Sequence, residues 1–186
     1  MSHYIESLYP QLLGTGVTRC NAILQNHFGS DFLLQELRTK KDAALIESMK
    51  RDGVTAKSGA RDLLELFTQR KMRTALATSS TSSEATERLR LAQLTHRFEV
   101  SAFGDEVKNT KPLPDLYLLA ADRLKLSGSE CLVLEDSHAG VEAALAASMQ
   151  VVMVPDLAQP MPWIAERDVP VISSLQELLT DYSLVS

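Results

Sequence analysis

No apolar run in this sequence approaches the ~20 residues that a helix needs to cross a bilayer, which argues against a membrane-spanning chain. Cysteine is scarce. Cys20 and Cys131 are the two present, one in a helical stretch and one in a strand-like stretch, so they read as buried thiols and not as a bridge or a metal pair. Positive charge is outnumbered: 19 Lys and Arg stand against 24 Asp and Glu, for a net charge of −5. That balance gives no electrostatic footing for nucleic acid or an anionic membrane surface. The opening MSHYIESLYP holds no basic segment followed by an apolar one, so it is not read as a signal peptide, and the expected location is the cytoplasm. No G-x-G-x-x-G follows a strand, which excludes a dinucleotide fingerprint. No G-x-S-x-G elbow supports a serine hydrolase. His3, His27, His96 and His138 lack metal-ligand spacing. What is present is ordinary for a globular chain of 186 residues, 45% hydrophobic and 23% charged, enough for one domain with or without a small appendage.

Two patterns divide the chain. Over residues 1–53, apolar residues recur at helical spacing: Ile23, Leu24 and Phe28; Leu33, Leu34 and Leu37; Leu45, Ile46 and Met49. Gly14-Thr15-Gly16 reads as a turn ahead of the first of these helices, and Gly29-Ser30-Asp31 as the break between them. From 54 to 186 short apolar runs alternate with helical segments. ALAT, the run to Phe103, CLVL and VVMV are strand-like, and VPVISSLQELL closes with a last strand and helix. Such alternation signals β-α-β units and a parallel sheet. The expected architecture is thus α/β, a helical piece at 1–53 ahead of a core at 54–186. In open parallel sheets functional groups collect at the carboxyl ends of the strands.

Three strand ends carry chemistry. Thr78 and Ser79 offer hydroxyls and backbone N–H groups where a helix starts, a natural anion site, although Ser and Thr also simply cap helices. Lys111, in KPLPD, sits on a loop stiffened by Pro112 and Pro114, where a point cation can meet a phosphoryl oxygen or a carboxylate. Glu135 and Asp136 end an apolar strand side by side. A helix cap accounts for one acid there, but not two, and clustered carboxylates at a strand end suit Mg²⁺. Anion donors, a cation and metal-binding acids are the parts that phosphoryl transfer requires. A receiver-type signalling domain uses similar parts, but with its acid pair early and its lysine late, the reverse of the order here.

LATSS, GDEVKNTKPLPDLYLLAADRL, CLVLEDSHAGVEAALAASM and VVMVPDL together resemble the haloacid-dehalogenase-type phosphohydrolases, in the branch of β-phosphoglucomutase and small sugar-phosphate phosphatases. The resemblance implies a Rossmann-like parallel sheet with a helical cap that closes over a small phosphorylated metabolite. It assigns Thr78 and Lys111 to the transferring phosphoryl group, with Ser79 beside them in the expected phosphate site, and Glu135 and Asp136 to Mg²⁺. Gly14, Thr15 and Arg19 become the cap's candidates to face the substrate, although a polar helix start accounts for them equally well. The family's nucleophile and general acid/base stand in a D-x-D at the end of its first, central strand. No D-x-D occurs in these 186 residues, and by the resemblance that strand and the opening of the cap are absent. Two consequences are expected. The strands on either side would have unpaired edges, which favours self-association, and the chain alone would be inactive. Gly16 and Val17, where the mutase carries a hydroxyl and a basic residue, favour a phosphatase over a mutase. The competing reading is a non-catalytic relative that binds phosphate or a partner.

Overall fold

The computed structural model describes residues 8–9 and 11–180. Two helices come first, α1 (Val17–Phe28) and α2 (Leu34–Asp52). Each ends at a glycine with positive φ, Gly29 (95°) and Gly53 (75°), whose N–H bonds back to a carbonyl of the last turn. Lys50 and Arg51 lie in the final turn of α2, where the helix dipole favours cations. These helices bury little: α1 has no buried residue and α2 has Met49.

The rest of the chain alternates. Helix α3 (Ala60–Gln69) leads to β1 (Ala75–Thr78), α4 (Ser82–Leu91), β2 (Val100–Phe103) and α5 (Asp115–Leu124). A turn of 3₁₀ helix at Gly128–Glu130 precedes β3 (Leu132–Glu135), α6 (His138–Ala146), β4 (Gln150–Met153), α7 (Pro162–Glu166) and α8 (Glu177–Thr180). β1 pairs with β2 in parallel, Ala75 opposite Val100 through Thr78 opposite Phe103. β3 pairs with β4 in parallel, Leu132 opposite Gln150 through Glu135 opposite Met153. The expected α/β fold with parallel strands is therefore present, but as two two-stranded sheets. Among the described residues no backbone hydrogen bond joins β1 to β3.

The helices cover the strands through small and branched residues. Val141, Ala143 and Ala144 of α6 are fully buried against Val133, Val151 and Met153, because alanines let a helix approach a sheet closely. On the opposite face Leu63 of α3 packs with Val152, Val154, Ile172 and Leu178. α5 buries Leu116 and Ala120 against Ala102 of β2. Burial is uneven across the strands. β4 is buried at three of its four positions, whereas every residue of β1 is only half-buried.

α6 begins at His138 because the Ser137 hydroxyl accepts the Gly140 N–H and starts the helix there. Two elements near the end of the chain differ from the sequence reading. The expected last strand contracts to one bridge, Met153 with Val171. α7 has only five residues, too few to show a helical period. Among the described residues no helix is long and apolar enough to cross a membrane.

The α5 packing sets the first expectation. Leu116 is 1% exposed and Leu118, half a turn on, is 47% exposed. Leu116→Ala should cost ~2–5 kcal/mol in urea unfolding, and Leu118→Ala within about 0.5 kcal/mol. Equal losses would contradict the described packing of α5.

Candidate active site

The carboxyl ends of β1 and β3 open into a cavity of about 840 Å³. At the β1 end, the Thr78 hydroxyl accepts the Ser80 N–H at 3.2 Å. Ser79, the residue after the strand, donates through Oγ to the Gly14 carbonyl at 3.0 Å, tying the segment before α1 to the core. The first turn of α4 has partners of its own. Asp105 accepts from Ser82 N and Oγ, each at 2.9 Å, and the Thr81 hydroxyl caps the Glu84 N–H.

At the β3 end one carboxylate organises the site. Glu135 Oε1 accepts from Lys111 Nζ in a close ion pair and from the Tyr117 hydroxyl at 2.7 Å. Oε2 accepts from Asp136 N (2.9 Å), Ser137 N (3.0 Å) and Ser137 Oγ (2.9 Å). Both partners of the ion pair are buried, Lys111 at 4% exposure and Glu135 at 8%. Lys111 also lies 4.6 Å from the centre of the Tyr117 ring, in cation–π range. The loop that carries it has a cis Lys111–Pro112 bond. Gly140 is what lets α6 sit over this carboxylate, since a Cβ there would fall 2.0 Å from Glu135 Cδ.

The electrostatics follow from that packing. Burial pushes the Glu135 carboxyl up, but the Lys111 charge and the bonds from Lys111, Tyr117 and Ser137 outweigh it and hold the group below the usual carboxylate range. Burial, and then the Glu135 charge, push the Tyr117 phenol well above its ordinary value. Asp136 moves the other way. Its residue is largely exposed, yet protein atoms crowd the carboxyl and desolvate it, and Glu135 adds like charge, so its pKa is raised despite Lys57 and Lys111. No hydrogen bond to the Asp136 carboxylate is formed among the described residues.

Thr78, Ser79, Lys111, Glu135, Asp136, Gly14 and Thr15 all line the cavity. Arg19 does not line it and stays exposed on α1. Sequence reasoning passed over Arg38, Lys41, Lys57 and Arg88, which also line it, and Tyr117, which shares Glu135 with Lys111. Arg38 and Lys41 stand three residues apart on one face of α2, a spacing visible in the sequence but common to any solvated helix. Arg38 is held in place by Asn21 Oδ1 and the Val17 carbonyl.

Residues 20–154, more than half of the chain, match the family model of the haloacid dehalogenase-like hydrolases. The chain belongs to that family. It is 46% identical over 92 residues to the phosphorylated carbohydrates phosphatase of Thermotoga maritima, covering 50% of this chain and 43% of that protein. It is 38% identical over 133 residues to hexitol phosphatase A of Escherichia coli, covering 72% and 60%. The chain thus spans about half the length of the curated relatives it matches. Among solved structures, CbbY of Rhodobacter sphaeroides in complex with xylulose-(1,5)bisphosphate superposes with a TM-score of 0.78 at 26% identity, over 91% of this chain and 78% of that one. Five structures with TM-scores of 0.68–0.81 are each matched over 78–82% of their own length.

Two expectations concern the site. Lys111→Met leaves a buried carboxylate without its cation and should destabilise the protein by ~3–5 kcal/mol. Lys111→Met combined with Glu135→Gln should recover part of that loss, measured by denaturant unfolding; a double variant as unstable as the single would contradict it. The second expectation concerns pH. A raised folded pKa means that the native state holds the Asp136 proton more tightly, so stability falls as pH rises from the unfolded value, ~3.9, through the folded one. Asp136→Asn should therefore raise Tm at pH 7, with the gain vanishing on acidification below pH ~4. A gain that is independent of pH would contradict this origin.

Proposed function

We propose that this chain carries the phosphate-binding part of an Mg²⁺-dependent phosphomonoester hydrolase that acts on a small phosphorylated sugar. The observation that carries the reading is Lys111, buried and held at the strand ends in one cavity with Thr78 and Asp136. A phosphoryl group placed there meets a fixed cation and hydroxyl donors, and positioning with charge stabilisation is most of what phosphoryl transfer needs. The relatives named for phosphorylated carbohydrates and hexitols, and the bisphosphate complex of CbbY, support a sugar phosphate as substrate. Thr78, Ser79 and Lys111 would bind the phosphoryl group. Gly14 and Thr15 would meet the remainder of the substrate, with Arg19 at the cap's outer face.

The residues suit Mg²⁺ in chemical type, because carboxylate oxygens are its preferred protein ligands and it keeps several waters. Their engagement separates the two acids. Glu135 is already bonded to five protein donors and would anchor Lys111 and orient its neighbour, leaving Asp136 as the carboxylate open to the ion. Bound Mg²⁺ would neutralise charge on the phosphoryl oxygens. A nucleophile is a separate matter. The cavity's carboxylates among the described residues are Glu84, Glu135 and Asp136, and no D-x-D occurs in the sequence. In this reading residues 1–186 bind phosphate but do not turn over phosphoester, with 1–53 acting as a partial cap on a core at 54–186. The competing reading, a non-catalytic phosphate-binding relative, draws support from the ion pair itself: Glu135 balances the Lys111 charge before any ligand arrives.

Calorimetric titration of the chain with inorganic phosphate, with and without MgCl₂, tests the site. Phosphate should bind, more tightly with Mg²⁺, and Lys111→Met should abolish binding. A hexose phosphate assayed alongside should release no phosphate. No phosphate binding would overturn the site. Mg²⁺-dependent release lost in Asp136→Asn would overturn only the inactivity and leave the phosphatase reading standing.

A further inference from the structure

Lys57 belongs to the link between α2 and α3 and lines the same cavity as Thr78, Lys111 and Asp136. Its ammonium pairs with Asp156 Oδ2 at 3.5 Å. Asp156 follows β4, whose end lies against the acid pair: the Val154 N–H donates to the Glu135 carbonyl at 2.6 Å. Lys57 therefore reaches the ends of β3 and β4, on the Asp136 side of the site. Its pairing with Asp156 is loose. The two side chains are 40% and 55% exposed, and exposed pairs contribute little. The ammonium, on a flexible stem, can turn from one carboxylate toward the other. The other cations along the cavity are engaged elsewhere. Arg88 is bonded to Glu84, Lys41 pairs with Asp42, and Arg38 is fixed by Asn21.

Charge balance gives Lys57 its role. Lys111 and Glu135 cancel, so together with Asp136 they leave the strand ends with one net negative charge. A phosphoryl dianion arriving there meets like charge, and Lys57 removes that opposition. Its influence reaches Asp136: burial and then Glu135 raise the carboxyl's pKa, and Lys57 opposes them more strongly than Lys111 does. Given the phosphate site proposed above, we infer that Lys57 is the resident counter-cation of Asp136, which lets the site hold phosphate without metal and which Mg²⁺ must displace to reach that carboxylate. The ammonium and the metal ion are like charges drawn to one group, so each weakens the other's hold. Lys57 thus favours one ligand of the site and disfavours the other.

Calorimetric titration at pH 8 of the 186-residue chain, with inorganic phosphate alone and separately with MgCl₂ alone, tests this role. Lys57→Gln should bind phosphate about three- to tenfold more weakly and Mg²⁺ about three- to tenfold more tightly than the parent chain. Damage to the fold would weaken both, so the opposite signs separate a charge effect from a structural one. Lys57→Arg keeps the charge and should hold both affinities within about twofold of the parent. Asp156→Asn releases the ammonium to Asp136, and should weaken Mg²⁺ binding while phosphate binds at least as tightly. A Lys57→Gln chain whose two affinities fail to move in opposite directions, although the parent binds phosphate, would overturn the role of Lys57 and leave the phosphate site standing. Phosphate bound by neither the parent nor the variant would overturn the site itself, and this role with it.

Discussion

The buried contact between Lys111 and Glu135 is the constraint around which this site is built. Two opposite charges removed from water are tolerable only when each is closely partnered, and the local sequence supplies those partners. Tyr117, two residues into α5, completes one carboxylate oxygen. Backbone N–H groups of Asp136 and Ser137 and the Ser137 hydroxyl complete the other. Because Lys111 comes from the loop ahead of α5 and Glu135 from the end of β3, the pair fastens the two half-sheets' connections together at the mouth of the cavity. Among the described residues it is a link between halves that no strand pairing joins.

The question raised by two adjacent acids behind an apolar strand thereby has a physical answer. Glu135 and Asp136 are neighbours in sequence but opposites in environment. Strand alternation turns Glu135 inward to five donors, while Asp136 turns toward solvent and the cavity with its carboxylate unbonded. The pKa of one falls and that of the other rises, and the ionised Glu135 is, after desolvation, part of what makes Asp136 reluctant to ionise.

Much of this was legible in the sequence for identifiable reasons. The strands were readable because their apolar runs are bounded by polar strand ends. Thr78 and Asp136 stand out in the sequence by their position at those ends and Lys111 by its flanking prolines, and all three line the cavity. Tyr117 does not stand out. An aromatic residue in the first turn of an amphipathic helix looks like core, and its ring is packed in the core; its hydroxyl and the ring face under Lys111 belong to the site. Arg38 and Lys41 were silent for the opposite reason, as charges on a helix that buries almost nothing else. The five-residue α7 and the single-bridge remnant of the last strand carry too few residues to impose a period.

Where the segment before α1 meets the core, the contact is made by backbone. Side chains are excluded there, since a Cβ on Gly14 would fall 2.1 Å from Ser137 Oγ and one on Gly16 would fall 2.2 Å from the Thr110 methyl. At Gly14 and Gly16 that side of the cavity is therefore main chain, which substitution cannot reshape without lifting it off. Evolutionary change in which molecule the cavity prefers is left to the few lining positions whose side chains have room, Arg38 and Lys41 foremost. A lineage could retune its selectivity along α2 while the main chain at Gly14 and Gly16 stayed fixed.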